Sequence, residues 1–187
     1  DCINLYEIKS LRESSKYNCI YLIGFMGAGK TFLGNYLAQE LQLEFVDTDE
    51  IITSRFNCSI KSLFDNEGEE GFRQIEYSVL KDLITKGKRA VVATGGGLPC
   101  NDYNLALMKK NGITVFLDWP IETLVNRIKY DSHRPLINAH KMDLLEYVTK
   151  ELNLRRPFYE KACLVLKNPT TEDILDAIRD RPQFLNR

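Results

Sequence analysis

The chain has 187 residues, 44% of them hydrophobic and 27% charged, with a formal net charge of −1. That length suits one domain with a substantial core, and the near-neutral balance excludes a strongly basic nucleic-acid binder and an acidic disordered tail. No apolar run reaches the roughly 18 residues of a membrane span, and five scattered cysteines (Cys2, Cys19, Cys58, Cys100, Cys163) without CxxC spacing argue against a zinc site or a disulfide framework.

Residues 1–18 show no compact apolar segment and read as an N-terminal arm, with Leu5, Ile8 and Leu11 on one face. The domain proper is expected over 19–187. Its first element, Cys19–Ile23, is a short apolar run ending at Gly24, which fits a buried strand. A helix follows over 30–42, with Leu33, Tyr36, Leu37 and Leu41 at helical spacing. Glu44–Asp47 reads as a second strand. Helical pattern then covers 49–57 and 59–86, interrupted by glycine and acidic residues over 66–71. Ala90–Ala93 is a third strand, running into Gly95, Gly96 and Gly97. A helix over 103–110 leads to a fourth strand over 113–117. Pro120 suits a first helical turn, and the helix it opens carries Leu124, Val125 and Ile128 on one face. The polar stretch over about 130–141 has no period and reads as a mobile lid. It contains both histidines, His133 and His140, which read as surface residues. After it come a helix over 144–152, a fifth strand over 163–166 and a last helix, Thr171–Arg179. Strand and helix alternating in this way predict an α/β domain: a five-stranded parallel sheet with helices on both faces.

The strongest chemical signal is Gly24-Phe-Met-Gly-Ala-Gly-Lys30-Thr31, a match to G-x-x-x-x-G-K-(S/T) between a strand and a helix. Its glycines Gly27 and Gly29, with Ala28, let backbone N–H groups turn toward phosphates. The helix N-terminus adds donors through Lys30, Thr31 and Phe32. Lys30 would reach the β- and γ-phosphates, and the Thr31 hydroxyl would ligate Mg²⁺. This is a nucleoside triphosphate site.

Asp47 and Asp49 follow the second strand, where their spacing of two predicts that both aim to one side. One acid could hold Mg²⁺ while the other accepts a proton from an attacking hydroxyl, although Asp49 could also serve simply as a helix cap. The third strand ends without an acid, which makes Asp47 the better metal candidate. Gly95, Gly96 and Gly97 permit close approach of a small molecule. Arg73 precedes Glu76 by one helical turn. Arg127, Arg134 and the segment Arg155-Arg156-Pro157-Phe158-Tyr159, read as opening a helix after the lid, supply forks for carboxylates and phosphates.

Together these motifs resemble the shikimate kinases. The resemblance runs from Ile20 to about Ile178 and rests on GFMGAGKT, FVDTD, GEEGFRQIE, ATGGG, RPLI and RRPFYEKA, in the family's order. It implies a P-loop kinase fold with a lid, in strand order 2-3-1-4-5, and a magnesium-dependent transfer from ATP to the 3-hydroxyl of shikimate, on the route to chorismate and the aromatic amino acids. By the resemblance, Lys30 and Thr31 serve ATP and Mg²⁺ and Asp47 assists the metal. Asp49, Arg73, Gly95, Gly96, Gly97 and Arg155 hold shikimate, with Glu76 in support. Asp49 is also the group that orients the hydroxyl and takes its proton. Arg134 is the lid arginine, Arg127 packs on adenine, and Asn168-Pro169 matches the adenine loop. The family motif R-x-P-(L/F)-Y points to Arg155 rather than Arg156.

The partner expected is shikimate, with neither nucleic acid nor membrane, in a cytoplasmic monomer. Two other readings stand beside this one: a P-loop kinase for another polyol or nucleotide, such as gluconate, and a silent nucleotide-binding module. The first should differ at Arg73 and Arg155, and the second should lack Lys30, Asp49 or Arg134.

Overall fold

The structure is a computed structural model that describes residues 19–130 and 143–180. The arm over 1–18, most of the expected lid with His133, Arg134 and His140, and residues 181–187 lie outside the described residues.

Strand β1 (Cys19–Ile23) is buried along its whole length. Short β-branched runs with no polar alternation suit a strand covered on both faces, and β3 (Ala90–Ala93) and β4 (Gly112–Asp118) have the same character on either side of it. The edges are β2 (Glu44–Asp47) and β5 (Leu164–Lys167), giving a sheet in the order β2-β3-β1-β4-β5. Every pairing is parallel, with Leu22 aligned to Ala93 and to Val115, and Asp47 also aligned to Ala93. The order is the one that the family resemblance implies. A parallel sheet puts all its strand C-termini on one edge, where α/β domains bind ligands. Here that edge carries Gly24, Asp47, Thr94, Trp119 and Asn168.

Among the described residues six helices lie between strands, α1 (Lys30–Glu40), α2 (Thr48–Phe56), α3 (Ile60–Thr85), α4 (Asp102–Asn111), α5 (Ile121–Lys129) and α6 (Leu144–Tyr159), and α7 (Thr171–Arg179) follows β5. Short polar residues satisfy several helix starts, as capping requires. Ser59 caps α3, Asn101 caps α4, and Thr170 with Asp173 forms a capping box on α7. Helix α1 instead opens on Gly29 in the left-handed region (φ 83°), with no side chain bonded to its first amides. The expected interruption of the long helix is a single break at Gly68, with φ 69° and ψ −179°.

Two expectations need correction. The segment Arg155–Tyr159 does not open a helix; it closes α6, which runs on past the expected end at residue 152. Val148, Leu152 and Tyr159 are all buried, so one apolar face persists across Pro157 and holds the last turn against the core. In addition, β2 ends at Asp47 and α2 begins at Thr48, so strand alternation does not govern Asp49. Asp47 caps α2 through its contact with the Asp49 N–H, and the cap role is therefore not Asp49's.

Candidate functional site

The loop between β1 and α1 wraps tightly. Gly27 (φ 79°) and Gly29 (φ 83°) occupy the left-handed region that side chains disfavour. A Cβ on Gly27 would lie 3.0 Å from the Ile128 side chain and 3.3 Å from the Leu124 carbonyl, because α5 packs directly on the loop. The Lys30 ammonium donates to the Gly24 and Phe25 carbonyls, at 2.9 and 3.0 Å, drawing the loop around its own cation. The first turn of α1, uncapped by any side chain, then presents backbone donors and a positive dipole end to an anion. A triphosphate fits this cradle.

Beside it the Thr31 hydroxyl donates to Asp47 Oδ2 at 2.8 Å, while Asp47 Oδ1 accepts from the Asp49 N–H at 2.9 Å. Two hard oxygens next to a phosphate cradle suit Mg²⁺, which takes one or two protein ligands and keeps waters and phosphate oxygens for the rest. No cluster of three or more metal-ligating side chains occurs among the described residues. The available donor set therefore suits a metal carried in with a nucleotide.

A cavity of about 470 Å³ opens on the far side of the loop, lined by Ala28, Gly29, Phe32, Arg127 and Pro169. All five are residues expected to bind the nucleotide. Arg127 lies over Trp119, with its guanidinium carbon 3.9 Å from a ring centroid, and donates to the Gly27 carbonyl at 3.2 Å. Phe32 is 76% exposed, an apolar wall facing open space. Thr170 and Thr171 complete the rim, but their hydroxyls donate to Asp173 and Glu172 on α7.

On the other side of β1, the three glycines after β3 each meet a different expected substrate group. A Cβ on Gly95 would lie 2.7 Å from Asp49 Oδ1 and 2.9 Å from Glu76 Oε1, so two carboxylates converge on that point. A Cβ on Gly96 would lie 3.5 Å from Arg155 Nη1. One on Gly97 would collide with the Arg73 guanidinium. Side chains here would fill the space that a small molecule needs. Bonds hold this loop in place: Gly95 N–H donates to the buried Thr48 hydroxyl at 2.8 Å, and the Tyr159 hydroxyl donates to the Gly96 carbonyl at 2.6 Å.

The charges around the glycines are paired but not saturated. Arg73 binds Glu76 at 2.6 Å and Glu69 at 3.4 Å. Glu76 is only 3% exposed, and burial pushes its carboxyl above the usual range; Arg73 pulls it back, and the Asp49 charge adds to the rise. Arg155 binds Glu151 through Nη2 at 2.7 Å and lies over the Phe25 ring at 5.4 Å. Arg156 turns the other way and meets Asp118 with both nitrogens.

The structure thus brings together Lys30, Thr31 and Asp47 on one flank, and Asp49, Arg73, Glu76, Gly95, Gly96, Gly97 and Arg155 on the other. Arg134 lies outside the described residues. Sequence reasoning passed over Trp119, Thr48 and Tyr159. Trp119 follows β4 at the ligand-binding edge, a positional signal that was legible. Tyr159 sits inside a motif read only for its arginines, and Thr48 carries no signal of its own between its two aspartates.

Comparison with known proteins finds the family described as shikimate kinase matching residues 26–181. A shikimate kinase of Azobacteroides pseudotrichonymphae is 43% identical over 161 residues, 84% of this chain and 95% of that protein. One from Aquifex aeolicus is 41% identical over 148 residues, covering 79% of this chain and 85% of the relative. Among solved structures, shikimate kinase from Acinetobacter baumannii in complex with shikimate superposes with a TM-score of 0.79 at 34% identity, over 91% of this chain and 98% of that one.

Proposed function

The chain belongs to the shikimate kinase family, and from that premise we propose how its residues divide the work of phosphorylating shikimate. The family's reaction moves the γ-phosphoryl group of ATP to the 3-hydroxyl of shikimate, giving shikimate 3-phosphate and ADP. The observation that carries our assignment of roles is the row Gly95, Gly96 and Gly97, with Asp49 and Glu76, Arg155, and Arg73 ranged against successive glycines.

Shikimate is a small carboxylate bearing hydroxyls. Arg73 and Arg155 grip its carboxylate, since guanidinium forks match that group's planar geometry. Glu76 holds Arg73 in place through their 2.6 Å contact. Asp49 orients the 3-hydroxyl and receives its proton as the phosphoryl group arrives. The glycine loop lets the substrate ring approach the backbone.

On the nucleotide flank, Gly27, Ala28, Gly29, Thr31 and Phe32 wrap the phosphates with their amides. Lys30 leaves its carbonyl partners to neutralise charge on the transferred group. Arg127 and Pro169 flank the base. Thr31 and Asp47 would hold Mg²⁺, which would supply positive charge against the phosphates. Arg134 supplies further positive charge to the transferred phosphoryl group. We take 19–187 as one kinase domain, 1–18 as an appended arm and about 130–141 as the lid that excludes water, the competing acceptor.

We further assign the enzyme to the cytoplasm as a monomer acting on neither nucleic acid nor membrane. The net charge of −1 speaks against a nucleic-acid partner, and no helix among the described residues is long and apolar enough to cross a membrane.

A coupled assay of ADP release over a panel of hydroxy acids tests the reading. Shikimate should be turned over far faster than gluconate or quinate. Preference for a substrate without a carboxylate would remove Arg73 and Arg155 from their role.

A further inference from the structure

We infer that Tyr159 is a positioning residue for shikimate: its hydroxyl ties the glycine loop after β3 to the end of α6, and so sets the gap between Gly96 and Arg155. The inference rests on the reading that Gly96, Gly97 and Arg155 hold the substrate.

The geometry is specific. Tyr159 is fully buried at the last position of α6, four residues after Arg155, so the two side chains share a helical face. Its hydroxyl donates to the Gly96 carbonyl at 2.6 Å, a link across 63 residues of sequence. The Cys100 thiol donates to the same carbonyl at 3.6 Å, and the Arg155 guanidinium interacts with the Tyr159 hydroxyl. From the position of a Cβ on Gly96, the Tyr159 hydroxyl is 3.7 Å away and Arg155 Nη1 is 3.5 Å away. One phenol therefore touches both walls of the expected carboxylate pocket.

The ring is braced for this task. It packs on Phe116 of β4 with centroids 5.1 Å apart, so the sheet itself fixes where the hydroxyl stands. Burial drives the phenol far above its ordinary pKa, which keeps it a donor at any pH the enzyme meets. The far end of the loop is held independently, by the Gly95 N–H on Thr48. Without the tyrosine hydroxyl the Gly96 carbonyl would lose a short bond from a protonated donor. The longer bond from the Cys100 thiol would then be the weaker restraint left on that carbonyl, and the peptide bearing the Gly97 N–H would be held less firmly. A misplacement of about 1 Å in such a site can cost a large factor in substrate binding or rate.

The test is Tyr159→Phe, which keeps the ring and its contact with Phe116 and removes only the oxygen. KM for shikimate should rise about tenfold, the equivalent of one lost hydrogen bond, while KM for ATP and kcat stay within about twofold. Val148→Ala, at a buried position three turns earlier on α6, is the structural control. It weakens the packing of the helix without removing the hydroxyl or the ring contact that places it, and should lower the thermal midpoint while leaving KM for shikimate near that of the wild type. An equal rise in KM for shikimate in both variants would reduce Tyr159 to packing, as would an unchanged KM in Tyr159→Phe. Arg155→Lys, measured alongside, separates the two levels of the argument. If it raises KM for shikimate and Tyr159→Phe does not, only the positioning role falls. If Arg155→Lys has no effect, the substrate pocket itself is wrongly placed.

Discussion

Arg156 meets the Asp118 carboxylate with both guanidinium nitrogens, Nη1 to Oδ2 at 3.2 Å and Nη2 to Oδ1 at 3.0 Å. Asp118 ends β4, and its backbone carbonyl accepts from the Asn168 N–H at 2.9 Å. This fork therefore joins the last turn of α6 to the loop that walls the cavity proposed for the nucleotide. Its neighbour Arg155 faces the glycine loop instead.

The two arginines should respond differently to the same change. Arg155→Lys keeps the charge but loses the planar fork, and KM for shikimate should rise about 10- to 100-fold, the range for one charge-assisted bond. Arg156→Lys should leave that KM within about threefold, because its partner is Asp118. Its effect should be on stability, about 1 kcal/mol, or a thermal midpoint lower by about 2–4 °C. Steady-state kinetics and a melting curve on each variant decide the matter. The larger KM change at Arg156 would mean that the wrong arginine of the pair has been placed in the substrate pocket.

Lys30→Ala should cut phosphoryl transfer by about 10²–10³, the usual scale for removing one group that stabilises transition-state charge. Its ammonium bonds carbonyls of its own loop and is not part of the apolar core, so the fold should survive. Circular dichroism and single-turnover assays check both halves. A folded variant with kcat within threefold of wild type would be incompatible with the site.

Glu76 carries a pH signature. Its folded pKa is raised, by burial first, so the folded state holds that proton more tightly than the unfolded chain. The stability this contributes is complete below the ordinary glutamate value, about 4.3, and is lost as pH rises through the raised value. Thermal midpoints of the wild type, corrected with Glu76→Gln, should show this fall on the alkaline side of pH 4.3. The variant should lack that component and show a higher KM for shikimate, since the 2.6 Å contact to Arg73 loses its charge. A wild type and variant with parallel pH profiles would contradict the raised pKa.

Trp119 is the single tryptophan of the chain. It lines the cavity proposed for the nucleotide and lies against Arg127. Titration with ADP should change its intrinsic fluorescence, whereas shikimate alone should leave it nearly constant. Trp119→Phe should remove the signal. Equal responses to both ligands would place the base elsewhere.

Much of this molecule was determined by residues that are neighbours in sequence. Short β-branched runs between amphipathic stretches specify a parallel sheet, because only strands covered on both faces can lack polar alternation. The phosphate loop is equally local. Its glycines, lysine and threonine lie within eight consecutive residues, and a strand before and a helix after are enough to define its geometry. Asp47, Asp49, Arg73 and Glu76 were legible for the same reason: each pair lies within one turn or one strand end.

What the residues' own chemistry left open is which way equivalent groups face; for one pair the family motif pointed to the choice, but only tertiary structure supplies the physical cause. Arg155 and Arg156 are chemically identical neighbours, separated only by the rotation of about 100° that a helix imposes per residue. Packing of α6 on the sheet, through Val148, Leu152 and Tyr159, sends one to the glycines and the other to Asp118. The bond from Tyr159 to Gly96 spans 63 residues, and the bond from Arg127 to the Gly27 carbonyl spans 100. No local period encodes either, because both depend on the parallel strands delivering distant loops to one edge of the sheet.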